Sequence, residues 1–262
     1  MIVKAKKHLG QHFLKDMDVS KRIADTYGFH NDCYRVLELG AGTGALTKFL
    51  LDKEKNLKIK IIDIDPESIK YMKNKYRELE GEILEGDFLS LDLVKVMGKD
   101  SFSVVGNFPY NISTQILFKC LEMRDQIPEI MGMFQREVAL RIAEPPGSKQ
   151  RGILSVLMQA YYDVEYCFTV NEDVFYPPPK VKSGVIRLTR NKNHKLPCNE
   201  KLFKNLVKAS FNQRRKTIRN SLKTFLRDKS IDSELLSLRP EALSVKQFID
   251  LTVLIESKLN IN

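Results

Sequence analysis

Short apolar runs alternate with stretches of helical periodicity from residue 35 to about residue 190. The apolar runs indicate buried strands, and the stretches between them, in which apolar residues recur every three or four positions, indicate helices. Strands that alternate with helices form a mostly parallel sheet covered by helices. We therefore predict an α/β domain with a seven-stranded sheet, whose strands are Arg35–Leu39, Leu57–Ile62, Glu82–Leu84, Phe102–Val105, Ile130–Phe134, Val164–Phe168 and Val181–Leu188.

The same pattern predicts the helices and the end of the sheet domain. An early helix is expected to begin with Asp18 as its cap. Later helices are expected to follow Gly44, Pro66, Ser113 and Arg136. The polar segment 191–197 is typical of a linker, so we predict two domains, residues 1–190 with the sheet and residues 191–262 as a small all-helical domain.

The C-terminal domain is predicted to be basic. Residues 190–262 carry 16 Lys and Arg against 7 Asp and Glu, whereas residues 1–189 carry 27 against 26. The segment Phe203–Leu226 is expected to form a helix or a helical pair, with apolar residues on one stripe and basic residues every four positions on another. Localised positive charge favours a nucleic-acid partner over a merely solvated surface. The residues expected to contact phosphates are Arg214, Arg215, Lys216, Arg219 and Lys223, and Arg227 extends the basic stripe.

Composition excludes several other classes of protein. No apolar run approaches the roughly 20 residues of a membrane span, and the N-terminus lacks the apolar core of a secretory signal. We therefore expect a soluble, cytoplasmic protein without a membrane partner. The four cysteines and four histidines are dispersed and form no CxxC pair, so we expect free thiols and no metal site.

A glycine-rich loop, Gly40–Gly44, follows the first predicted strand. Glycines there allow a tight turn and a close approach to a ligand. An acidic residue, Asp63 or Asp65, closes the next strand, where it is placed to bind ribose hydroxyls. A dinucleotide-binding dehydrogenase has nearly the same arrangement. The GxGxG spacing and the carboxylate of Glu38 favour S-adenosylmethionine, because its methionine end is cationic whereas a pyrophosphate disfavours a nearby carboxylate.

The segment Asn107-Phe108-Pro109-Tyr110 follows the fourth predicted strand, at the sheet edge where ligands bind in α/β folds. An exocyclic amine of adenine is a poor nucleophile, since its lone pair is delocalised into the ring. Two acceptors, the Asn107 side-chain oxygen and the Phe108 carbonyl, can hold both N–H bonds and aim the lone pair at a methyl group. Pro109 fixes the turn, and Tyr110 offers a face for the base to stack on.

At these residues the chain resembles the KsgA family of ribosomal RNA adenine dimethyltransferases, in its bacterial form. The family's usual Asn-Leu-Pro-Tyr-Asn-Ile-Ser is matched from Asn107, with Phe108 in place of Leu. The resemblance covers nearly the whole chain. Its other motifs are His8–Leu14, Gln135–Ala139, Val174–Val181 and Phe211–Asn220.

The resemblance implies a Rossmann-like class I methyltransferase domain that binds S-adenosylmethionine, with no metal. The cofactor residues that it implies are His12, Leu14, Gly40, Asp63, Asp87 and Asn107. Two of them depart from the family pattern, because His12 replaces Asn and Asp63 replaces the more common Glu. The resemblance also implies that Phe175 stacks on the target base opposite Tyr110, although an aromatic before Pro-Pro-Pro is, by its residues alone, more often part of the core.

The expected function is the transfer of methyl groups to N6 of two adjacent adenines near the 3′ end of small-subunit ribosomal RNA, in ribosome maturation. The expected partner is that RNA in a pre-assembled small subunit, and the protein is expected to be a monomer. Two alternatives are a large-subunit RNA methyltransferase of the antibiotic-resistance type, which shares the catalytic loop, and a non-catalytic ribosome-assembly factor. The motif Phe211–Asn220 opposes the first, and the intact Asn107 and Tyr110 oppose the second.

Overall fold

The computed structural model describes residues 3–226 and 231–259. The chain divides into two compact units, one formed by Met1–Ala139 with Val164–Arg190 and the other by Leu140–Asp163 with Asn191–Asn262. Within the described residues, no helix is long and apolar enough to span a membrane.

Nine strands are present in the described part of the chain. Seven of them form one sheet in the order β4-β3-β2-β5-β6-β9-β7, in which β9 is antiparallel to β6 and the pairs from β4 to β6 are parallel. The mostly parallel seven-stranded sheet is therefore confirmed. The strands are β1 Phe13–Leu14, β2 Arg35–Leu39, β3 Lys58–Asp63, β4 Ile83–Glu85, β5 Ser103–Asn107, β6 Glu129–Gln135, β7 Tyr162–Val170, β8 Phe175–Tyr176 and β9 Ser183–Arg190.

The central strands explain why a functional site forms at one edge. Val36, Leu37 and Leu39 of β2 are all buried, as expected for a parallel strand covered on both faces. The neighbouring strands β3 and β5 run slightly further toward their carboxyl ends than predicted. Asp63 and Asn107 therefore end the two strands that flank β2, and they project from the same edge of the sheet.

The helices largely begin where the sequence predicts. Asp65 caps α3 and Pro66 takes its first position, which suits the fixed φ of proline. The predicted cap of α1 was wrong by two residues, because the Asp16 carboxylate, not that of Asp18, accepts the Val19 N–H at 3.0 Å. The α-helices are α1 Met17–Thr26, α2 Ala45–Lys53, α3 Pro66–Lys75, α4 Leu93–Met97, α5 Ser113–Glu122, α6 Arg136–Ala143, α7 Ile153–Gln159, α8 Glu200–Asn212, α9 Ile218–Ser221, α10 Lys223–Leu226 and α11 Val245–Leu259.

A small two-stranded ribbon outside the main sheet was not predicted. β1 pairs antiparallel with β8, so that Phe13 lies opposite Tyr176 and Leu14 opposite Phe175. This ribbon ties residues 3–16, here called the N-terminal arm, to the segment that precedes Pro177. The arm is thereby held close to the carboxyl end of β5, where Asn107 donates a hydrogen bond to the His12 carbonyl.

The second unit corrects the predicted boundaries, 1–190 and 191–262, because residues 140–163 group with the C-terminal residues. The physical reason is α7, whose largely apolar surface packs against α8 and α11. The segment Phe203–Leu226, predicted as a helix or a helical pair, forms α8 and the short helices α9 and α10, so the predicted four-residue spacing of basic residues along one helix face is interrupted. α8 ends at Asn212 and a turn separates it from α9, so Arg215 lies in the turn. Arg227, predicted to extend the stripe, lies outside the described residues.

Candidate active site

The glycine loop lies at the carboxyl end of β2 and requires its glycines. Gly40 and Gly42 have φ of +66° and +56°, in the left-handed region that side chains disfavour. A Cβ on Gly42 would also lie 2.8 Å from the ring of Phe13. The loop therefore passes directly beneath an aromatic side chain that the N-terminal arm supplies.

Asp63 and Asp65, which the sequence left as alternatives for binding ribose, have different surroundings in the structure. The Asp63 carboxylate accepts the Gly42 N–H at 3.2 Å and the Asp65 N–H at 2.9 Å, and burial raises its pKa. It lines a pocket beside the glycine loop. The Asp65 carboxylate is fully buried and is bonded by the arm instead.

Two pockets of about 420 and 480 Å³ open at this edge, and both include Phe13, Gly40 and Asn107 in their walls. Leu14 and Glu38 line the first pocket, whereas His12, Asp63 and Tyr110 line the second. The structure thus brings together five of the six residues predicted for the cofactor, all except Asp87. Phe13, which belongs to the N-terminal motif His8–Leu14 but was not among those six, lines both pockets.

Glu38 forms a buried acidic wall of the first pocket. Its side chain is nearly inaccessible and accepts a hydrogen bond of 2.7 Å from the hydroxyl of Thr47. Burial raises the pKa of Glu38 to about 7, although the Thr47 hydrogen bond opposes that rise. A carboxylate with no cation to neutralise it is costly in such a place. The wall therefore favours a ligand that brings positive charge.

Asn107 has a defined amide orientation. Its Nδ2 donates a hydrogen bond of 2.9 Å to the backbone carbonyl of His12. Since a carbonyl can only accept, the nitrogen must face His12 and the side-chain oxygen must face the other way. Asn107 thus presents an acceptor at the pocket, as the two-acceptor hypothesis requires.

Phe108 lies in the core, which explains the departure from the family's Leu. Its side chain is fully buried and its ring lies 5.0 Å from that of Phe134. Gly106 and Gly132, opposite each other on β5 and β6, make the space for it. A Cβ on Gly132 would lie 2.3 Å from the Phe108 ring. Phe108 is one of the residues that line the second pocket, but its ring is buried in the core.

Tyr110 and His12 form a wall of the second pocket. Their rings stack with centroids 5.7 Å apart, and the Tyr110 hydroxyl is hydrogen-bonded to Ser183. Burial raises the pKa of Tyr110 despite that hydrogen bond, so the phenol remains neutral. His12 Nδ1 donates to the carbonyl of Pro177 at 2.7 Å, because that oxygen can only accept. No local signal pointed to Ser183, which lies 73 residues along the chain from Tyr110.

Phe175, predicted to stack on the target base, is buried in this structure. Its side chain is 1% exposed and belongs to the hydrophobic core of its unit. The pairing of β8 with β1 causes this, since Leu14 and Phe175 both face inward at the same register position. The adjacent Tyr176 faces outward and is 69% exposed. The burial agrees with the core interpretation that the residues alone favoured, and stacking of Phe175 on the target base stays a prediction.

Asp87 holds its own loop rather than lining either pocket described above. Its Oδ1 accepts the Leu89 N–H at 2.9 Å. Lys119 fixes the same loop, because its ammonium donates to the carbonyls of Phe88 at 2.6 Å and Leu89 at 3.1 Å. The loop is therefore well defined, and Asp87 remains only a predicted cofactor residue.

The basic residues predicted to contact RNA lie in the second unit. Arg214 donates to the carbonyl of Lys149, and Arg219 donates to that of Ile231 at 3.4 Å. All five are exposed. They lie in the turn after α8 and in the two short helices α9 and α10: Arg214, Arg215, Lys216, Arg219 and Lys223.

The sheet order, the glycine loop and the Asn-Phe-Pro-Tyr loop together define a class I methyltransferase that uses S-adenosylmethionine. Comparison with known proteins narrows the class. The family model for "Ribosomal RNA adenine dimethylase" matches residues 2–255, and the chain belongs to this family. It is therefore an enzyme that methylates ribosomal RNA.

Individual relatives agree with this assignment. The chain is 56% identical over 256 residues to a protein of Flavobacterium johnsoniae named ribosomal RNA small subunit methyltransferase A, with 97% of each chain covered. A protein of Cytophaga hutchinsonii with the same name is 53% identical, over 98% of this chain and 99% of that one.

Solved structures show the same fold. A dimethyladenosine transferase from Plasmodium falciparum has a TM-score of 0.74 at 24% identity, with 95% of this chain and 98% of that chain covered. The 23S rRNA methyltransferase ErmE has a TM-score of 0.67 at 25% identity, with 92% and 99% covered. The class I fold is thus confirmed.

Proposed function

We propose that this enzyme transfers methyl groups from S-adenosylmethionine to N6 of two adjacent adenines near the 3′ end of 16S ribosomal RNA. The observation that carries the proposal is the fixed amide of Asn107 at the mouth of a pocket with an acidic wall. The names of the relatives at 53 to 56% identity support the small subunit over the large one. The ErmE structure, at 25% identity, shares the fold.

The residues of the two pockets fit the methyl donor. S-adenosylmethionine supplies an electrophilic methyl group on a cationic sulfonium. Glu38 offers the buried carboxylate that suits the cationic methionine end, and Gly40 lets the backbone approach closely. Asp63 suits the ribose hydroxyls, because each oxygen that holds a backbone N–H keeps a second lone pair. His12, Leu14, Asp87 and Asn107 complete the proposed set.

Asn107 and Phe108 would hold the target amine. The Asn107 side-chain oxygen accepts one N–H of the adenine, and the backbone carbonyl of Phe108 accepts the other. Pro109 restricts the backbone between them and the base site. Holding both N–H bonds draws the nitrogen toward tetrahedral geometry, with its lone pair aimed at the methyl group. As the amine nitrogen takes the methyl group, the methyl–sulfur bond would break and the sulfonium would leave as a neutral thioether. The methylated nitrogen is then cationic and acidic, so it loses its proton to water and no strong general base is needed; positioning supplies most of the acceleration.

Tyr110 would hold the ring of the base. Its orientation is set by Ser183 and by the stacked ring of His12. Stacking of a base on an aromatic side chain contributes about 1–3 kcal/mol. An adenine within a duplex cannot reach this site, so the target must be flipped out or already unpaired. The second methyl transfer requires that the monomethylated base re-enter with its methyl group turned aside.

Substitution of Asn107 tests the proposal. Asn107→Ala should abolish transfer of labelled methyl groups to undermodified small subunits, because the change removes an acceptor proposed to hold the reacting amine. RNA affinity should stay within about threefold, because the basic residues proposed to contact phosphates are unchanged. Asn74→Ala, an exposed asparagine on α3, is the matched control and should retain full activity. Wild-type turnover by the Asn107 variant would refute the two-acceptor role.

The position of the label tests the substrate. Mapping the methylated bases should find two adjacent adenines near the 3′ end of the small-subunit RNA. Label in large-subunit RNA instead would favour the resistance-type activity, and RNA binding without any label would favour an assembly factor. We further propose that the enzyme acts in the cytoplasm, as a monomer, on a partly assembled subunit. Comparison of its activity on free 16S RNA with that on subunits tests the substrate, and light scattering tests the monomeric state.

A further inference from the structure

A buried carboxylate beside the proposed cofactor site, that of Asp65, is bonded both by its own helix and by the N-terminal arm. Asp65 Oδ1 lies 2.5 Å from Lys6 Nζ, and its Oδ2 accepts a hydrogen bond of 3.0 Å from Gln11 Nε2. The side chain of Asp65 is fully buried, whereas that of Lys6 is 26% exposed. Two residues from an arm of the chain thus converge on one inaccessible acid.

Gln11 connects these contacts to the arm itself. While its Nε2 donates to Asp65, its Oε1 accepts the backbone N–H of Lys6 at 2.8 Å. The segment between Lys6 and Gln11 is therefore closed into a loop across the acid. Gly10 completes that loop with a φ of +65°, and a Cβ there would lie 3.1 Å from the side-chain oxygen of Asn111.

The fixed loop delivers the next two residues to the pockets. Phe13 lies over Gly42 and lines both pockets, and the His12 carbonyl sets the amide of Asn107. Neither contact involves Asp65 directly. The role of Asp65 as the cap of α3 needs only its bonds to Glu67 N and Ser68 Oγ. The contacts with Lys6 and Gln11 are additional to that cap.

We propose that Asp65 is a positioning residue that latches the N-terminal arm over the methyl-donor site through Lys6 and Gln11. The inference rests on the proposed cofactor site and adds to it a residue that does not touch the cofactor. Asp63 and Asp65, two residues apart, thus have different proposed roles: Asp63 lines the pocket, and Asp65 holds the arm. The electrostatics agree, because the hydrogen bond to Asp65 raises the pKa of Lys6.

Asp65→Asn is the variant that separates the latch from the cap. Asparagine caps helices as well as aspartate does, so α3 should persist. Its single oxygen cannot serve both Lys6 and Gln11, and its amide donors oppose theirs. A lost charge-assisted contact of this kind corresponds to about a tenfold change in affinity. Lys6→Met removes the cation alone and should have a smaller effect in the same direction.

The matched control is Asp92→Asn. Asp92 also caps a helix, with its carboxylate accepting the Val94 N–H at 3.1 Å, and it lies 3.8 Å from Lys95. The same chemical change is thus made at a cap that contacts no residue of the arm. This variant should bind the cofactor and exchange its arm amides as the parent does.

Calorimetric binding of S-adenosylmethionine and hydrogen exchange over residues 6–14 test the latch. Asp65→Asn should raise the Kd and the KM for the cofactor about tenfold, change kcat less than threefold, and accelerate exchange in the arm. An unchanged Kd in a folded variant, or a fall in kcat alone, would overturn the latch. Failure of the parent protein to bind would instead refute the cofactor site, so the two failures are distinguishable.

Discussion

Glu38 should make the stability of the protein depend on pH in a way that a single substitution removes. The carboxyl is buried and its pKa rises from 4.5 to about 7. A raised pKa means that the folded state holds the proton more tightly than the unfolded state. The stabilisation is therefore complete below pH 4.5 and is lost as the pH rises to about 7. Glu38→Gln removes this dependence while keeping the shape and an acceptor for Thr47.

The magnitude follows from the shift. A rise of this size corresponds to roughly 3 kcal/mol in the free energy of unfolding, at about 1.4 kcal/mol per pKa unit. Relative to the parent, Glu38→Gln should therefore gain roughly 3 kcal/mol at pH 8 and less than about 1 kcal/mol at pH 5. Urea unfolding of both proteins at several pH values measures the difference. Glu80→Gln, an exposed glutamate, is the control and should follow the parent.

The same substitution should act in the opposite direction on the cofactor. Ionised Glu38 attracts the cationic methionine end, so affinity should rise as the pH passes through about 7, with release of a proton on binding. Glu38→Gln should bind about tenfold more weakly at pH 8 and lose that dependence. A difference in unfolding free energy that is flat from pH 5 to pH 8 would refute the reasoning, because burial of the charge would then cost nothing.

Two further substitutions test other parts of the site. Phe108→Leu should keep kcat within about threefold and lower the free energy of unfolding by about 1 kcal/mol, because the ring lies in the core and only the backbone carbonyl is proposed to hold the target amine. A hundredfold loss of activity would contradict this. Replacing three exposed basic residues by glutamine should weaken RNA binding and reduce its salt dependence by about 0.7–0.9 per lost phosphate contact. These residues are Arg214, Arg215 and Lys216, and the matched control replaces the exposed Lys55, Lys70 and Lys99. Equal salt slopes for the two triple variants would exclude the basic turn as the RNA-binding surface.

The strands and their shared edge could be predicted because periodicity reports burial directly. Each strand of the main sheet that was predicted exists, with shifts of one or two residues at most ends. The choice between Asp63 and Asp65 could not be made in this way. Side chains two residues apart on an extended chain point to the same side. What separates them is the arm, whose Lys6 lies 59 residues earlier.

Two features that the local sequence left undecided, the burial of Phe175 and the break after α8, have a common physical cause. Phe175 and Tyr176 alternate between inward and outward, and only the pairing with β1 decides which of them is buried. Similarly, the helix after residue 200 breaks at a point with neither glycine nor proline. There the Ile218 N–H donates to the Leu238 carbonyl at 2.8 Å, a contact with a remote segment. Local pattern cannot predict an outcome that a distant partner determines.

The N-terminal arm contacts both the proposed methyl-donor site and the proposed base site. Phe13 covers the glycine loop, while the carbonyl of the adjacent His12 accepts the hydrogen bond that fixes the amide of Asn107. Displacement of the arm would therefore open the donor pocket and free the acceptor amide to rotate. His12 makes this contact through its backbone, which any residue supplies, so Asn-to-His replacement at this position leaves the orientation of Asn107 intact. The imidazole of His12 stacks on Tyr110 and is hydrogen-bonded to the carbonyl of Pro177. It therefore also helps to hold the ring of Tyr110, on which the base is proposed to stack.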